Sequence, residues 1–416
     1  GSYVIRRKSY KSIIKKSSIK VNLPSPEKLE IFNNLFFSLA EQMGEVLKNT
    51  AQSVNVKERM DFSCAVFNHN GDLIANAPHI PIHLGAMSDT VKFILNKHKL
   101  KLLQGETLLH NDPYSGGTHL PDLTVITPLL NKQKNKILFL FANRAHHSDV
   151  GGITPGSMPA FSKSIHEEGV LFNGFTILKK NKVLDKQIIQ EFKKGKFPSR
   201  DPIQNLNDIK AQIAACKKGI IEMEKIISSY SLNTVNKYVS FIYKNCTEII
   251  NKIIEKIPDS KFSCKLDNGS IIKLKIKFNT TSKKLDINFS GSSKLLKDNF
   301  NTPKAVTKSV VIYFLRTLVK DNIPLNEGAL KNINITFSND SMLNPVHPSP
   351  VVAGNVETSQ TLIDVLNGAI AIQAACYGTM SNLTFGNRSF GYYETICGGE
   401  GASQGNNGTD AVHCHM

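Results

Sequence analysis

Two segments constrain this chain most. DLTVITPLL (122–130) and KILFLFANRA (136–145) have the apolar, β-branched composition of strands buried on both faces. Such strands need cover on either side, and helical periods elsewhere supply it. LEIFNNLFFSLAEQMGEVLKNTA, starting near Pro26, repeats its apolar residues at three- and four-residue spacing. LGAMSDTVKFILNKH gives a second amphipathic helix, with Ser88 or Asp89 expected near its start. Residues 204 to 256 are expected to form two long helices packed antiparallel and closed by Pro258. DFSCAVFNHNGDLIANA reads as two short strands about a turn at Asn70-Gly71. SCKLDNGSIIKLKIKFNTTSKKLDINFSGSS alternates apolar and polar residues around Asp267-Asn268-Gly269, as an antiparallel meander does. A helix over AVTKSVVIYFLRTLVK, a strand at INITFS and a helix over SQTLIDVLNGAIAIQAACYG follow. The expected fold class is therefore α+β, with several mixed sheets and packed long helices. The expected divisions are a basic linker or tail over 1–28, a site-bearing α+β domain over 29–203, the helical pair over 204–257, and a second α+β region over 258–416 that stops short at its C-terminal end.

The net charge of +17 raises the question of nucleic acid. The excess is nearly all lysine, spread through stretches such as LNKQKNKI, while arginine, the better fork for phosphate and base edges, is scarce. Tryptophan is absent and no RNA-recognition signature or zinc-finger spacing appears, so a generally basic surface with no specific nucleic-acid partner is expected. No apolar run reaches membrane-spanning length. IRRKSYKSIIKKSSIK lacks the apolar core of a secretory signal and reads as a linker. The seven cysteines (64, 216, 246, 264, 376, 397, 414) are odd in number and contain no C-x-x-C pair, which points to reduced thiols and a cytoplasmic setting. Cys64, inside DFSCAVF, is expected to be a small buried side chain.

The ends of the two buried strands carry the chemistry. HNDPYSGGTHLPDLT (110–124) leads into the first, and NRAHHSDVGGITPGS (143–157) leaves the second. Divalent transition metals favour imidazole nitrogen with carboxylate oxygen. His119 and Asp122 offer one of each, three residues apart, with Pro121 stiffening the backbone between them. His146 and His147 offer the remaining nitrogens. In an extended chain they point to opposite faces, so one of the pair is expected to ligate directly and the other to support it or meet substrate. Asp149 and Glu168, the latter in SIHEEGV beside Glu167, are the candidate catalytic carboxylates. Gly116-Gly117, Gly151-Gly152 and Arg144 are candidates for holding substrate or an anion, because glycine turns let backbone amides approach closely. His413 and His415 form a further metal-capable pair. The glycines of the C-terminal stretch lack the spacing of a phosphate loop.

Several strings then resemble the hydantoinase B / 5-oxoprolinase family: NVKERMDFSCAVF, NAPHIPIHLGAM, NDPYSGGTHLPDLTVITP, RAHHSDVGGITPGSMP, EEGV, GNVETSQ, GYYETICGG and VHCHM. The resemblance runs from about residue 29 to the last and is greatest to the B portion of ATP-dependent 5-oxoprolinases. It implies a hydantoinase B-like fold and a part in opening the cyclic amide 5-oxo-L-proline to L-glutamate with ATP and water, within glutathione metabolism. It also implies a hydantoinase A-like subunit or fused domain that uses the ATP, a divalent metal (Mn, Zn or Fe not distinguished) and an oligomeric assembly. The carboxylase relatives carry manganese in their B-like subunit, and the H-x-x-D spacing of His119 and Asp122 matches that pattern. A hydantoinase or acetone/acetophenone carboxylase-type B subunit, or a catalytically silent scaffold of an A–B complex, are the alternatives of the same build.

Overall fold

A computed structural model of the chain describes residues 24–77, 80–97, 105–131, 133, 136–320 and 326–412. The His413/His415 pair and residues 1–23 of the basic tail lie outside the described residues. Helix α1 (Pro26–Thr50) opens where Ser25 accepts a hydrogen bond from the Lys28 amide, with Pro26 at its first position. A single turn, α2 (Val54–Lys57), leads into β1 (Phe62–Asn68) and β2 (Leu73–Asn76), and the turn between these strands uses Gly71 at φ 82°.

Helix α3 (His83–Lys97) begins before Ser88 and Asp89, so neither caps it. The amides of Gly85 and Ala86 in its first turn donate instead to Ser309 Oγ, a cap supplied by a distant helix. Ser88 and Asp89 serve contacts with other elements: Ser88 donates to Gly71 O and Glu327, and Asp89 pairs with Lys308.

Strands β3 (Thr107–His110), β4 (Asp122–Asn131), β5 (Lys136–His146), β6 (Asn173–Lys179) and β7 (Lys182–Val183) complete a seven-stranded sheet in the order β2-β1-β5-β4-β3-β6-β7. Its pairings are antiparallel. Along the central β4–β5 pair the side chains alternate between the two faces up to the irregularity at Leu129/Leu130. Leu123, Val125, Phe139, Phe141 and Ala145 enter a core shared with α1 and α5 (Pro202–Tyr230), which follows α4 (Asp185–Phe192). Ile126, Leu140 and Ala142 enter a second core with Met87, Val91, Ile94 and Leu95 of α3. Cover on both faces is why these strands are apolar throughout rather than at every second residue.

Helix α6 (Leu232–Ile254) follows α5 after Ser231, whose hydroxyl caps it. The two do not form a self-contained antiparallel pair, since α5 lies chiefly along α1. The first half of α6 joins the core of the large sheet, while Cys246, Ile250 and Ile254 join that of a smaller sheet. That sheet, in the order β11-β10-β9-β8, comprises β8 (Ser260–Lys265), β9 (Ile271–Asn279), β10 (Lys284–Asn288) and β11 (Ile333–Thr336). Its first three strands are the expected meander, turning at Gly269 (φ 83°), and β11 adds in parallel to β10. Helices α7 (Lys304–Thr317) and α8 (Ser359–Ala369) pack over it.

The helix expected to run on through AIQAACYG stops at Ala369. Gly368 lies so close to the Phe262 ring that an added Cβ would sit 2.7 Å from it, and Ala371 turns back at φ 55°. A hairpin of β12 (Asn382–Gly386) and β13 (Gly391–Thr395) then returns to the large sheet. Three sheets and helices on both sides of the large one give the expected α+β class. None of the described helices is long and apolar enough to cross a membrane.

Candidate metal centre

The register of the β4–β5 pair places Asp122 directly opposite His146. His119 stands one turn upstream, where the His119 carbonyl accepts the Asp122 amide and Pro121 O accepts the His147 amide. Three buried ligand atoms converge as a result. His119 Nε2 lies 3.0 Å from Asp122 Oδ1 and 3.2 Å from His146 Nδ1, and His146 Nδ1 lies 3.1 Å from the same carboxylate oxygen. Among the described residues, this is the group of His, Cys, Asp and Glu side chains with metal-ligand spacing. Neighbouring ligands at right angles around an ion with bonds of about 2.1 Å stand about 3.0 Å apart, so the triangle is of a size to hold one.

The surrounding groups fix this arrangement. Thr118 donates its hydroxyl to Asp122 Oδ2. His83, at the start of α3, brings Nε2 to 3.4 Å from the same oxygen while its Nδ1 meets Ser63 Oγ at 3.0 Å. The Tyr393 ring stacks on His146 at 4.8 Å between centroids and an interplanar angle of 25°. The carbonyl of Asp61 accepts the His146 amide. Burial pushes the Asp122 carboxyl up, yet the His119 and His83 charges and the hydrogen bonds from His119 and His146 outweigh it and hold the group well below the usual carboxylate range. Burial wins at His119, which is lowered. At His146 burial is overcome by the hydrogen bond to Asp122 and the charge of Asp61, and the ring is raised. An ionised carboxylate facing two imidazoles is a donor set suited to a divalent ion.

The other expected site residues are placed elsewhere. His147 faces α5, with Nε2 at 3.1 Å from Gln212 Oε1 and Nδ1 at 3.2 Å from Asn205 Nδ2, so both ring nitrogens have protein partners outside the cluster. Asp149 is a loop staple rather than a free carboxylate. It accepts from the amides of Gly151, Gly156 and Arg200 and pairs with the Arg200 guanidinium at 2.8 Å. Glu168 accepts from Ser162 Oγ and the amides of Val351 and Val352, and this ties the 160s loop to a distant segment. Its contacts do not include the cluster, which removes the geometric basis for a general base there. Burial pushes its carboxyl up to about 7 despite those hydrogen bonds.

The glycine turns are likewise structural. The amides of Gly117, Gly151 and Gly152 are taken by Asp112 O, Asp149 Oδ1 and Phe197 O, so none is free for an oxyanion. Gly116 (φ 96°) and Gly151 (φ 94°) are glycine because a Cβ would collide with the backbone at Thr90 and Phe197. Arg144 is fully buried, donating Nε to Thr124 and Nη2 to Thr90 and Gly116 O. Cys64 is buried and its thiol pushed up, as a packing residue.

Asp61, His83 and Tyr393 escaped the residue-by-residue reading. The histidine in PIHLGAM was the available signal for one of them.

The description Hydantoinase B/oxoprolinase matches residues 25–416, and the chain belongs to that family. It is 43% identical to 5-oxoprolinase 1 of Arabidopsis thaliana over 96% of this chain and 34% of that protein. It is 44% identical to the 5-oxoprolinase of Dictyostelium discoideum over 94% of this chain and 31% of that protein. The chain thus spans about a third of the length of these relatives and is their B-type portion. Among solved structures, the ATP-dependent caprolactamase of Pseudomonas jessenii shares the fold with a TM-score of 0.81 at 20% identity, covering 94% of this chain and 70% of that one.

Proposed function

We propose that this chain is the B portion of an ATP-dependent 5-oxoprolinase, acting on the activated cyclic amide of 5-oxo-L-proline to release L-glutamate. ATP use belongs to a hydantoinase A-like portion outside this chain. The observation that carries the reading is the buried His119–Asp122–His146 triangle, in a chain 43–44% identical to proteins named 5-oxoprolinase. An unstrained amide is a poor electrophile. Phosphorylation of its oxygen in the A portion makes the carbon electrophilic; water adds there, the ring C–N bond breaks with the nitrogen taking a proton, and a second water hydrolyses the resulting acyl phosphate to the free carboxylate and phosphate.

His119 Nε2, His146 Nδ1 and Asp122 Oδ1 are the atoms that would hold a divalent metal. When bound, such an ion supplies Lewis acidity toward an oxygen of substrate or water. The protein groups do the rest. Thr118 fixes the free oxygen of Asp122, so the carboxylate presents one defined lone-pair direction. Tyr393 covers His146 and limits access of bulk water. Asp61 holds His146 from the backbone, its carbonyl accepting the His146 amide. Soluble, cytoplasmic operation is part of the same reading.

The test combines metal analysis with turnover. Purified protein should contain near-stoichiometric Mn, Fe or Zn, and His119→Ala should lose it. Complemented with the A portion, the wild type should release ADP in a 5-oxoproline-dependent manner. Full metal content in His119→Ala would sink the ligand assignment, and ADP release indifferent to 5-oxoproline would sink the substrate.

A further inference from the structure

Of the 51 basic residues only Arg6, Arg7, Arg59, Arg144, Arg200, Arg316 and Arg388 are arginine. Where a chain so biased toward lysine keeps a guanidinium, the planar fork is the property to look for. Arg144 uses its fork on Thr124, Thr90 and Gly116 O, and Arg200 uses its own on Asp149 and Gly152 O. Both are internal braces.

Arg59 is placed differently. Its Nη1 donates to Asn55 Oδ1 at 3.2 Å and to the Tyr393 carbonyl, the side chain is half-buried, and among the described residues no carboxylate forms an ion pair with it. The ring centroids of Tyr392 and Tyr393 lie 5.8 and 5.9 Å from the guanidinium carbon, within cation–π range. The group stands at the edge of the candidate metal centre, since it donates to the carbonyl of Tyr393, whose ring stacks on His146.

The backbone beside it is bent to that end. Met60, between Arg59 and Asp61, is a bulky residue at φ 53°, in the left-handed region that such side chains seldom adopt. The turn is held by the Asp61 amide on Asn55 O at 2.9 Å and the Phe62 amide on Met60 O at 2.8 Å. It delivers Arg59 to the hairpin and the Asp61 carbonyl to His146 in consecutive steps.

We propose that Arg59 is the specificity-determining residue that receives the substrate's carboxylate, so that the site selects a cyclic amide bearing an anionic group next to the ring nitrogen. The proposal rests on the cyclic-amide reading above and adds which part of the substrate this chain recognises. A carboxylate presents two oxygens to a guanidinium fork, and a neutral lactam has nothing to offer it.

The experiment uses the complete enzyme with its A portion, in wild-type, Arg59→Gln and Arg59→Lys forms. Each is assayed by ADP release with 5-oxo-L-proline and with its neutral carboxamide. Loss of a charged, partly desolvated pair predicts a KM for 5-oxoproline raised about 50-fold in Arg59→Gln with kcat within about threefold of wild type. The carboxamide KM should move less than about threefold, and Arg59→Lys, which keeps the charge without the fork, should fall between. Equal losses on both substrates, or a fall in kcat at unchanged KM, would mean that Arg59 only ties the hairpin through the Tyr393 carbonyl, and the proposal is overturned while the reading stands. A wild type that turns over neither lactam overturns both.

Discussion

The two faces of the large sheet each bury a histidine from adjacent positions of one strand end, and they treat it in opposite ways. On the α5 face, His147 meets the amide side chains of Gln212 and Asn205, one at each ring nitrogen. Burial lowers it, and the neutral ring is held between those two amides. On the α3 face, His146 meets a carboxylate and a second imidazole at 3.1 and 3.2 Å, while its Nε2 has no hydrogen-bond partner among the described residues. Equal burial therefore says nothing about role. Neutral amides that complete a ring's hydrogen bonds make it a brace, whereas lone pairs crowded around a common point call for a cation.

The sharpest break of this contrast is Asp122→Ala in the complete enzyme. Removing the shared carboxylate should abolish metal binding and cut turnover by at least about a hundredfold. Metal content and ADP release check it together, and retention of both would erase the difference between the faces. Asp149→Ala probes the neighbouring brace. It strands Arg200 and three amides, so urea unfolding should show a loss of about 3 kcal/mol with metal content unchanged. His147→Leu should cost about 2 kcal/mol by leaving Gln212 and Asn205 unsatisfied, again without loss of metal. Metal loss in that variant would put His147 back among the ligands.

The last effect is one of pH and concerns Glu168. Its carboxyl is pushed up to about 7 from an ordinary 4.5, so the folded protein holds this proton more tightly than the unfolded chain does. The stability it contributes is fully present below the ordinary value and is lost as pH rises through 7. Thermal unfolding followed from pH 5 to 8 should fall more steeply in wild type than in Glu168→Gln. Parallel curves would show that the proton is not there.

What could be seen in the sequence follows from the range of the interactions. Helix α1, the β1–β2 turn and the β4–β5 pair are written in local periodicity and turn chemistry, and the structure has them where they were expected. His119 and Asp122 were legible because three residues and a proline already fix their proximity, and strand alternation foretold that His146 and His147 would part. The braces were not legible. Asp149 finds Arg200 51 residues away, and Glu168 finds Val351 183 residues away, so nothing near either carboxylate distinguishes a staple from a base. The cap of α3 was not legible because Ser309, which supplies it, comes from α7. The end of α8 was misplaced because nothing local in AIQAACYG announces the left-handed turn at Ala371.

The cross-strand match of Asp122 with His146 has one more consequence. An antiparallel ladder counts by odd and even, so its message has a reading frame. Losing a single residue from the middle of β5 would carry the next imidazole into the place opposite Asp122 and swing the present one toward α5, inverting every contact downstream. Losing two would restore the alternation yet leave Ser148 opposite Asp122, so the arithmetic of the weave, as much as the identity of its side chains, decides whether these three ligand-type atoms meet.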